Sequence, residues 1–127
     1  MNRWILPAAL LLAGSVHAQV VVRTAPQDVK PARMVVTAPP QITLDGQPDR
    51  LSPGARIRNT QNLVVLSGTV VGQQLPVVYR RDAAGLVHEV WLLTADEFTK
   101  VARANDGSPE GAQRFAELLN LIFGARR

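Results

Sequence analysis

The stretch LPVVYRRDAAGLVHEVWLLTADE, residues 75–97, decides the fold of this chain. Two β-prone segments, 75–81 and 86–93, flank the short loop 82–85. Gly85 can take the left-handed conformation that a three-residue hairpin loop with a bulge requires. These features predict an antiparallel β-hairpin.

The loop also predicts how the two arms of the hairpin pair. Counting outward from it places Arg80 opposite His88 and Val78 opposite Val90. Polar residues then meet polar residues across the strands, and apolar residues meet apolar ones, which supports this register.

The spacing of apolar residues changes from two to 3.6 after the hairpin, which predicts helices. Thr94 and Glu97 have the spacing of a capping box, and a helix over 95–104 is expected to follow. The Ser-Pro pair at 108–109 begins a second helix, whose apolar stripe ends at Gly124. We expect this helix to cover the sheet, because so small a domain otherwise buries too little apolar surface.

Short β-prone segments precede the hairpin and are separated by turn residues. The run Leu63-Val64-Val65-Leu66 is apolar on both faces, which is typical of a fully buried strand. The expected elements are strands at 42–44, 55–58 and 63–66, turns at 45–46 and 51–54, and a bend between Gly68 and Gly72. Strands followed by helices predict an α+β fold, with a small curled antiparallel sheet of about five strands, barrel-like or a meander, and then two C-terminal helices.

The N-terminal segment has the features of a secretory signal peptide. Residues 1–18 combine Arg3, a nearly unbroken apolar run and small residues at their end. This pattern predicts cleavage between Ala18 and Gln19. An uncleaved membrane anchor is the alternative, but the apolar run is short for a bilayer core of about 30 Å.

The segment that follows is rich in proline. Residues 19–40 contain four prolines among small and polar residues. Proline lacks the N–H that a sheet requires, so this segment is predicted to be an extended linker. Two β-prone patches interrupt it, Val20–Val22 and Met34–Thr37, and the alternative is that one of them adds as a strand to a sheet edge, in this molecule or another. The remaining chain, 41–127, is predicted to form a single α+β domain.

The composition bounds the classes of function. The chain has 127 residues, which suits one domain, and its 14 Lys+Arg and 10 Asp+Glu give a net charge of +4. It has no Cys, which excludes a disulfide framework, a thiolate metal site and a cysteine nucleophile. Because the predicted leader directs export, we expect a periplasmic location, with secretion beyond the cell as the alternative.

Patterns for catalysis and metal binding are weak. After removal of the predicted leader, His88 is the only histidine. A metal site usually needs three or four ligands, and the neighbouring Glu89 is expected on the opposite face of the strand. The serines that could act as nucleophiles lie in predicted turns: Ser52, Ser67 and Ser108. The sequence therefore predicts no catalytic residue, no metal site and no cofactor.

Arginine and aromatic side chains of the sheet form the candidate binding surface. Its members are Arg56, Arg58, Tyr79, Arg80, His88 and Trp91. Because guanidinium groups bind carboxylate and phosphate groups well, the sequence favours an exported, non-enzymatic envelope module that binds a protein partner or an anionic envelope polymer. Two alternatives stay open, a small periplasmic hydrolase with its site near His88 and a small nucleic-acid-binding barrel. The module is expected to be a monomer or a weak homodimer through the C-terminal helix.

Three segments resemble small exported proteins of beta-proteobacteria. They are LSPGARIR at 51–58, NLVVLSG at 62–68 and GLVHEVWLLT at 85–94. The resemblance spans about residues 42–98. It implies an envelope location and a shared core, and it carries no catalytic or binding residue over to this chain.

Overall fold

The computed structural model describes residues 25–126 of the chain. It confirms the predicted α+β fold, in which a β-sheet is followed by two C-terminal helices. The strands are β1 (Lys30–Ala38), β2 (Gln41–Leu44), β3 (Gln47–Arg58), β4 (Val64–Val65), β5 (Gln74–Arg81) and β6 (Val87–Leu92), and the helices are α1 (Ala95–Ala104) and α2 (Pro109–Ala125). The predicted signal peptide and its cleavage point between Ala18 and Gln19 lie outside the described residues.

Five of the strands form a closed hydrogen-bonded ring. The order β2-β1-β5-β6-β3 is completed by the pairing of β2 with β3, and β4 pairs with the end of β3. Every pair is antiparallel except β3–β6, which is parallel, so the sheet is mixed rather than wholly antiparallel. Parallel neighbours need a long connection, and the chain between β3 and β6 contains β4 and β5.

Strand β1 corrects the predicted domain boundary. The linker expected over 19–40 is wrong for Lys30–Ala38, which pairs with β2 on one side and with β5 on the other. Pro31 lies near the start of the strand, where a missing N–H costs little. Met34 and Val36 are fully buried inside the ring. The gain from burying these side chains outweighs the cost of the prolines, so the domain includes β1. The segment is a strand with partners on both sides rather than one added at a sheet edge, and the other β-prone patch, Val20–Val22, lies outside the described residues.

Two further predictions upstream of β5 are wrong. The turn expected at 51–54 lies inside β3, because one long strand pairs first with β2 and then with β6. The strand expected to be buried over 63–66 is reduced to Val64–Val65. It lies at the edge of the sheet, and the exposed fractions of Val64 and Leu66 are 60% and 73%.

The two helices cover a second apolar core on the outer face of β5 and β6. Val78 and Trp91 of the sheet pack there with Phe98, Leu119 and Phe123 of the helices. The predicted covering role of α2 is therefore confirmed. Leu119 and Phe123 of its apolar stripe are buried, whereas Phe115 and Ile122 are partly buried. The weak homodimer through this helix stays a prediction.

Both helices begin at the predicted caps. The Thr94 hydroxyl accepts a hydrogen bond from the Glu97 N–H at 3.2 Å, and the Glu97 carboxylate accepts one from the Thr94 N–H at 2.9 Å. The Ser108 hydroxyl accepts from the Gly111 N–H at 2.9 Å. Among residues 25–126, neither helix is long and apolar enough to cross a membrane.

Candidate functional site

A β-bulge at His88 changes the predicted register of the hairpin. Next to the loop the prediction is confirmed, because the Asp82 N–H donates to the Leu86 carbonyl at 2.8 Å. Further along the strands, Arg80 pairs with Glu89, so the prediction that placed it opposite His88 is wrong. His88 is an extra residue in β6, and each pair beyond it shifts by one position.

The pairing of β6 with β3 is irregular at the same residue. Residues 52–55 of β3 lie opposite His88 alone, between two regular stretches of pairing. The Ser52 hydroxyl lies 2.8 Å from His88 Nδ1, and Ser52 is buried. Two interrupted ladders therefore turn the His88 ring toward β3, which is how bulges redirect side chains.

The carboxylate of Glu89 holds two arginines. Arg58 Nη1 donates to Glu89 Oε2 at 3.2 Å, and Arg80 Nη2 donates to Oε1. Burial raises the pKa of Glu89, but hydrogen bonds and positive charge from Arg80 and Arg58 outweigh it, so this pKa lies below its ordinary value. Glu89 is therefore charged at neutral pH and orients both guanidinium groups.

Trp91 lies beneath these guanidinium groups. The guanidinium carbons of Arg58 and Arg80 both lie 5.7 Å from its ring centroid, a distance at which cation–π attraction operates. Phe123 of α2 meets the indole edge-on, with ring centroids 6.3 Å apart. Because Trp91 is only 7% exposed, it supports the arginines and offers no open face.

A third arginine reaches the same place from the end of α2. The Arg126 side chain is 8% exposed, and its Nη2 donates to the Leu92 carbonyl and to Glu97, both at 2.9 Å. Its Nη1 is buried without a hydrogen-bond partner among residues 25–126. The positive charge of Arg126 is therefore balanced by Glu97. Its Nη1 group remains available to donate a hydrogen bond to a ligand.

The three arginines line one open cavity of about 590 Å³, which we call the arginine cavity. The lining residues are Ala25, Pro26, Gln27, Arg58, Asn62, Arg80, Trp91, Phe123 and Arg126. Three guanidinium groups are opposed by the two carboxylates of Glu89 and Glu97. The balance is one positive charge in excess, so an acidic group is the ligand that this cavity suits best.

The structure brings together half of the predicted binding surface. The three members that meet in the arginine cavity are Arg58, Arg80 and Trp91. Tyr79 lies on the other face of β5 against the ring core, with the Arg81 guanidinium 5.3 Å from its ring centroid. Arg56 is exposed outside the cavity, and His88 is bound to Ser52. The six residues therefore do not form one surface.

Sequence reasoning missed Glu89 and Arg126 as members of the cavity. An acidic residue between two strands that carry arginines is a signal for cross-strand ion pairs, but the bulge at His88 hid the correct partners. Arg126 lies just beyond α2, and its contacts with Leu92 and Glu97 depend on how the helix packs.

A fourth ion pair lies at the hairpin end of the sheet. Arg81 Nη2 donates to Asp49 Oδ2 at 2.6 Å, and Nη1 donates to Oδ1 at 2.9 Å. The hydrogen bond from Arg81 is the main reason why the pKa of Asp49 lies below its ordinary value. This pair connects β3 with β5 and lies outside the arginine cavity.

An apolar groove of about 550 Å³ lies between β3 and β4. Ser52, Ile57, Leu66 and Leu86 are among the residues that line it, and Arg50 is the single charged one. The groove is thus distinct in chemistry from the arginine cavity.

Within residues 25–126, no three His, Asp or Glu side chains lie close enough to hold a metal ion. Comparison with protein-family models, with curated proteins and with solved structures finds no match. The side-chain geometry is therefore the basis on which a function can be assigned.

Proposed function

We propose that this chain is an exported, non-enzymatic envelope module that binds anionic groups of an envelope protein or polymer in the arginine cavity. The observation that supports this most is the convergence of Arg58, Arg80 and Arg126 on one open cavity. A guanidinium group matches the planar geometry of a carboxylate or phosphate and stays charged at physiological pH. One positive charge remains in excess after the internal ion pairs are counted.

The internal carboxylate prepares two of these arginines for a ligand. Arg58 and Arg80 each donate one hydrogen bond to Glu89, which leaves further N–H groups on both for a second acceptor. Because the side chains are already oriented, less rotamer entropy is lost when a ligand binds. Their exposed fractions of 22% and 37% leave both side chains within reach from solvent.

Binding of two polyanions to the purified protein tests the proposal. Poly-L-glutamate represents an acidic protein segment, and polyphosphate represents a phosphate polymer. We expect binding that weakens as salt is added, because the contacts are partly exposed charges. The double variant Arg58→Gln/Arg80→Gln is expected to bind at least about tenfold more weakly, since a hydrogen bond to a charged group contributes roughly 1.5–3 kcal/mol.

Arg56→Gln is the matched control. Arg56 lies on the same strand as Arg58, but it is exposed and outside the arginine cavity. Its loss removes one charge and is expected to leave the affinity within about twofold, as is usual for an exposed charge. If Arg56→Gln weakens binding as much as the double variant, attraction to net charge explains the binding and the proposal fails. Tighter binding of poly-L-glutamate would indicate an acidic protein as the ligand, and tighter binding of polyphosphate would indicate a phosphate polymer.

The nucleic-acid alternative has less support from the geometry. Single-stranded nucleic acids stack their bases on exposed aromatic rings. Trp91 is 7% exposed and covered by arginines, while Tyr79 faces the ring core. Neither ring is therefore available as a stacking platform.

The contact between Ser52 and His88 favours the hydrolase as a second candidate function. A serine hydroxyl 2.8 Å from an imidazole nitrogen is placed to transfer its proton when it attacks a carbonyl carbon. Treatment of the folded protein with a fluorophosphonate tests this candidate. The hydrolase candidate predicts labelling that requires both Ser52 and the folded state, and an unlabelled Ser52 excludes it.

A further inference from the structure

Three exposed apolar side chains on and beside β4 have no role in the arginine cavity. Leu63, Val64 and Leu66 are 59%, 60% and 73% exposed, and we call them the edge patch. They are three of the five large apolar side chains that are exposed among residues 25–126. Such a concentration within four consecutive residues is typical of an interface with another molecule.

The backbone of β4 also has an unused edge. Its two residues pair with the end of β3 on one side, and β4 is the last strand in the sheet order of the described residues. An apolar edge strand with free N–H and C=O groups is a template for a further strand. The free edge and the apolar side chains therefore occur in the same short segment.

The charge of the surrounding sequence favours a second copy of this chain as the occupant. Residues 59–79 contain no Asp, Glu, Lys, Arg or His, although the whole chain carries a net charge of +4. The nearest charge across the ladder, on Arg58 opposite Val64, is paired with Glu89, so two identical edge patches can meet without strong repulsion between like charges. An acidic or basic partner would find no charged side chain in this segment with which to pair.

We propose that the protein forms a homodimer in which the β4 strands of two copies pair antiparallel across a twofold axis. Such an interface is isologous, so each copy offers the same residues to the other. When the pairing centres on Val65, which then lies opposite its own copy, Val64 of one copy lies opposite Leu66 of the other, beside the apolar groove. The groove then receives apolar side chains of the second copy.

The dimer is independent of the proposed anion binding, because the arginine cavity shares no residue with the edge patch. It has a consequence for the second candidate function, since Ser52 lines the groove that the dimer covers. Substrate access to Ser52 would be closed in the dimer, so a hydrolase would act only as the monomer.

Sedimentation equilibrium of the purified protein, from micromolar to near-millimolar concentration, tests the dimer. We expect a monomer–dimer equilibrium that Leu66→Lys weakens at least about tenfold, because the lysine charge would enter an apolar interface. Leu121→Lys is the matched control, since Leu121 on α2 is 71% exposed. A protein that stays monomeric throughout overturns the proposal. A dimer that Leu121→Lys weakens more than Leu66→Lys also overturns it.

The absence of cysteine from the chain permits a second measurement. Antiparallel pairing places the two copies of residue 64 directly or diagonally opposite, within about 8 Å. Val64→Cys is therefore expected to cross-link with a short bismaleimide, whereas Leu121→Cys is not. Cross-linking of Leu121→Cys alone contradicts the interface, as does a monomer that binds phosphatidylcholine vesicles through the edge patch.

Discussion

Ser52 and His88 are 36 positions apart in the sequence, and the hydroxyl of the first lies 2.8 Å from Nδ1 of the second. They meet because β6 carries an extra residue relative to β5 while residues 52–55 of β3 face that residue alone. The same bulge places Glu89 opposite Arg80. One irregularity therefore produces both the Ser52–His88 contact and the acidic centre of the arginine cavity.

Ser52→Ala is expected to lower the free energy of unfolding by about 1–2 kcal/mol. The substitution removes a part-buried hydrogen bond and leaves a ring nitrogen of His88 without its partner. Urea unfolding followed by circular dichroism measures the loss. Ser67→Ala, at a half-buried serine after β4, is the control and is expected to cost less than about 0.5 kcal/mol. Equal losses in the two variants would show that the Ser52–His88 contact contributes nothing.

Acid is expected to weaken the fold through Glu89. Burial raises its pKa, but Arg80 and Arg58 lower it more, so the folded-state pKa lies below the ordinary value of 4.5. These ion pairs therefore stabilise the fold fully above about pH 4.5, and the stabilisation is lost as the pH falls through the folded-state pKa. Glu89→Gln cannot titrate and is expected to show a shallower fall in unfolding free energy between about pH 5 and pH 3.

The control for this pH dependence is Glu117→Gln. Glu117 is exposed on α2, away from the arginine cavity, and the variant is expected to keep the slope of the unsubstituted protein. Asp49→Asn is expected to reduce the slope as Glu89→Gln does, because the pKa of Asp49 is also lowered in the folded state, chiefly by Arg81. A Glu89→Gln profile that matches the Glu117→Gln profile would contradict the prediction.

Met34→Ala is expected to destabilise the fold by about 2–5 kcal/mol, because Met34 is fully buried inside the ring. A linker outside the domain would tolerate the change, so the measurement tests the place of β1 in the sheet. Leu121→Ala removes an apolar side chain that is 71% exposed. Its cost is expected to stay below about 0.5 kcal/mol in the same urea titration.

Gly111→Ala is expected to destabilise α2 by about 1–3 kcal/mol through overpacking. A Cβ at this position would lie 2.5 Å from the Ala104 carbonyl oxygen and would also collide with the Asp106 carboxylate. Gly124 lies in the same helix with no atom within 4 Å of its added Cβ. Gly124→Ala is therefore expected to raise the melting temperature, because alanine is the better helix former by about 1 kcal/mol. A neutral Gly111→Ala would mean that the loop before α2 can move aside.

The helices were predictable because their signals are local. The capping contacts join Thr94 to Glu97 and Ser108 to Gly111, residues three positions apart. Such contacts depend little on the rest of the molecule. The structure places α1 over Ala95–Ala104, the range that the sequence predicted.

The strand pairs were less predictable because their partners are distant in sequence. The register of the hairpin was correct beside its loop and wrong beyond His88, where the bulge cannot be recognised from either strand alone. The prolines of β1 indicated a linker, although the strand is held from both sides by β2 and β5. Three of the predicted surface residues, Arg58, Arg80 and Trp91, nevertheless meet because they lie on neighbouring strands.

The amino-acid sequence was sufficient to predict an α+β fold with a hairpin and two capped helices. Helix caps, turns and the alternation of apolar and polar residues all depend on residues that are close in sequence. Tertiary contacts were needed for the closure of the ring, for the meeting of Arg58, Arg80 and Arg126, and for the exposure of the edge patch. Leu63–Leu66 has the composition of a buried strand and still lies at the surface. Composition indicates how much free energy a segment gains when it is buried. Whether it is buried depends on whether the rest of the fold provides a surface that packs against it.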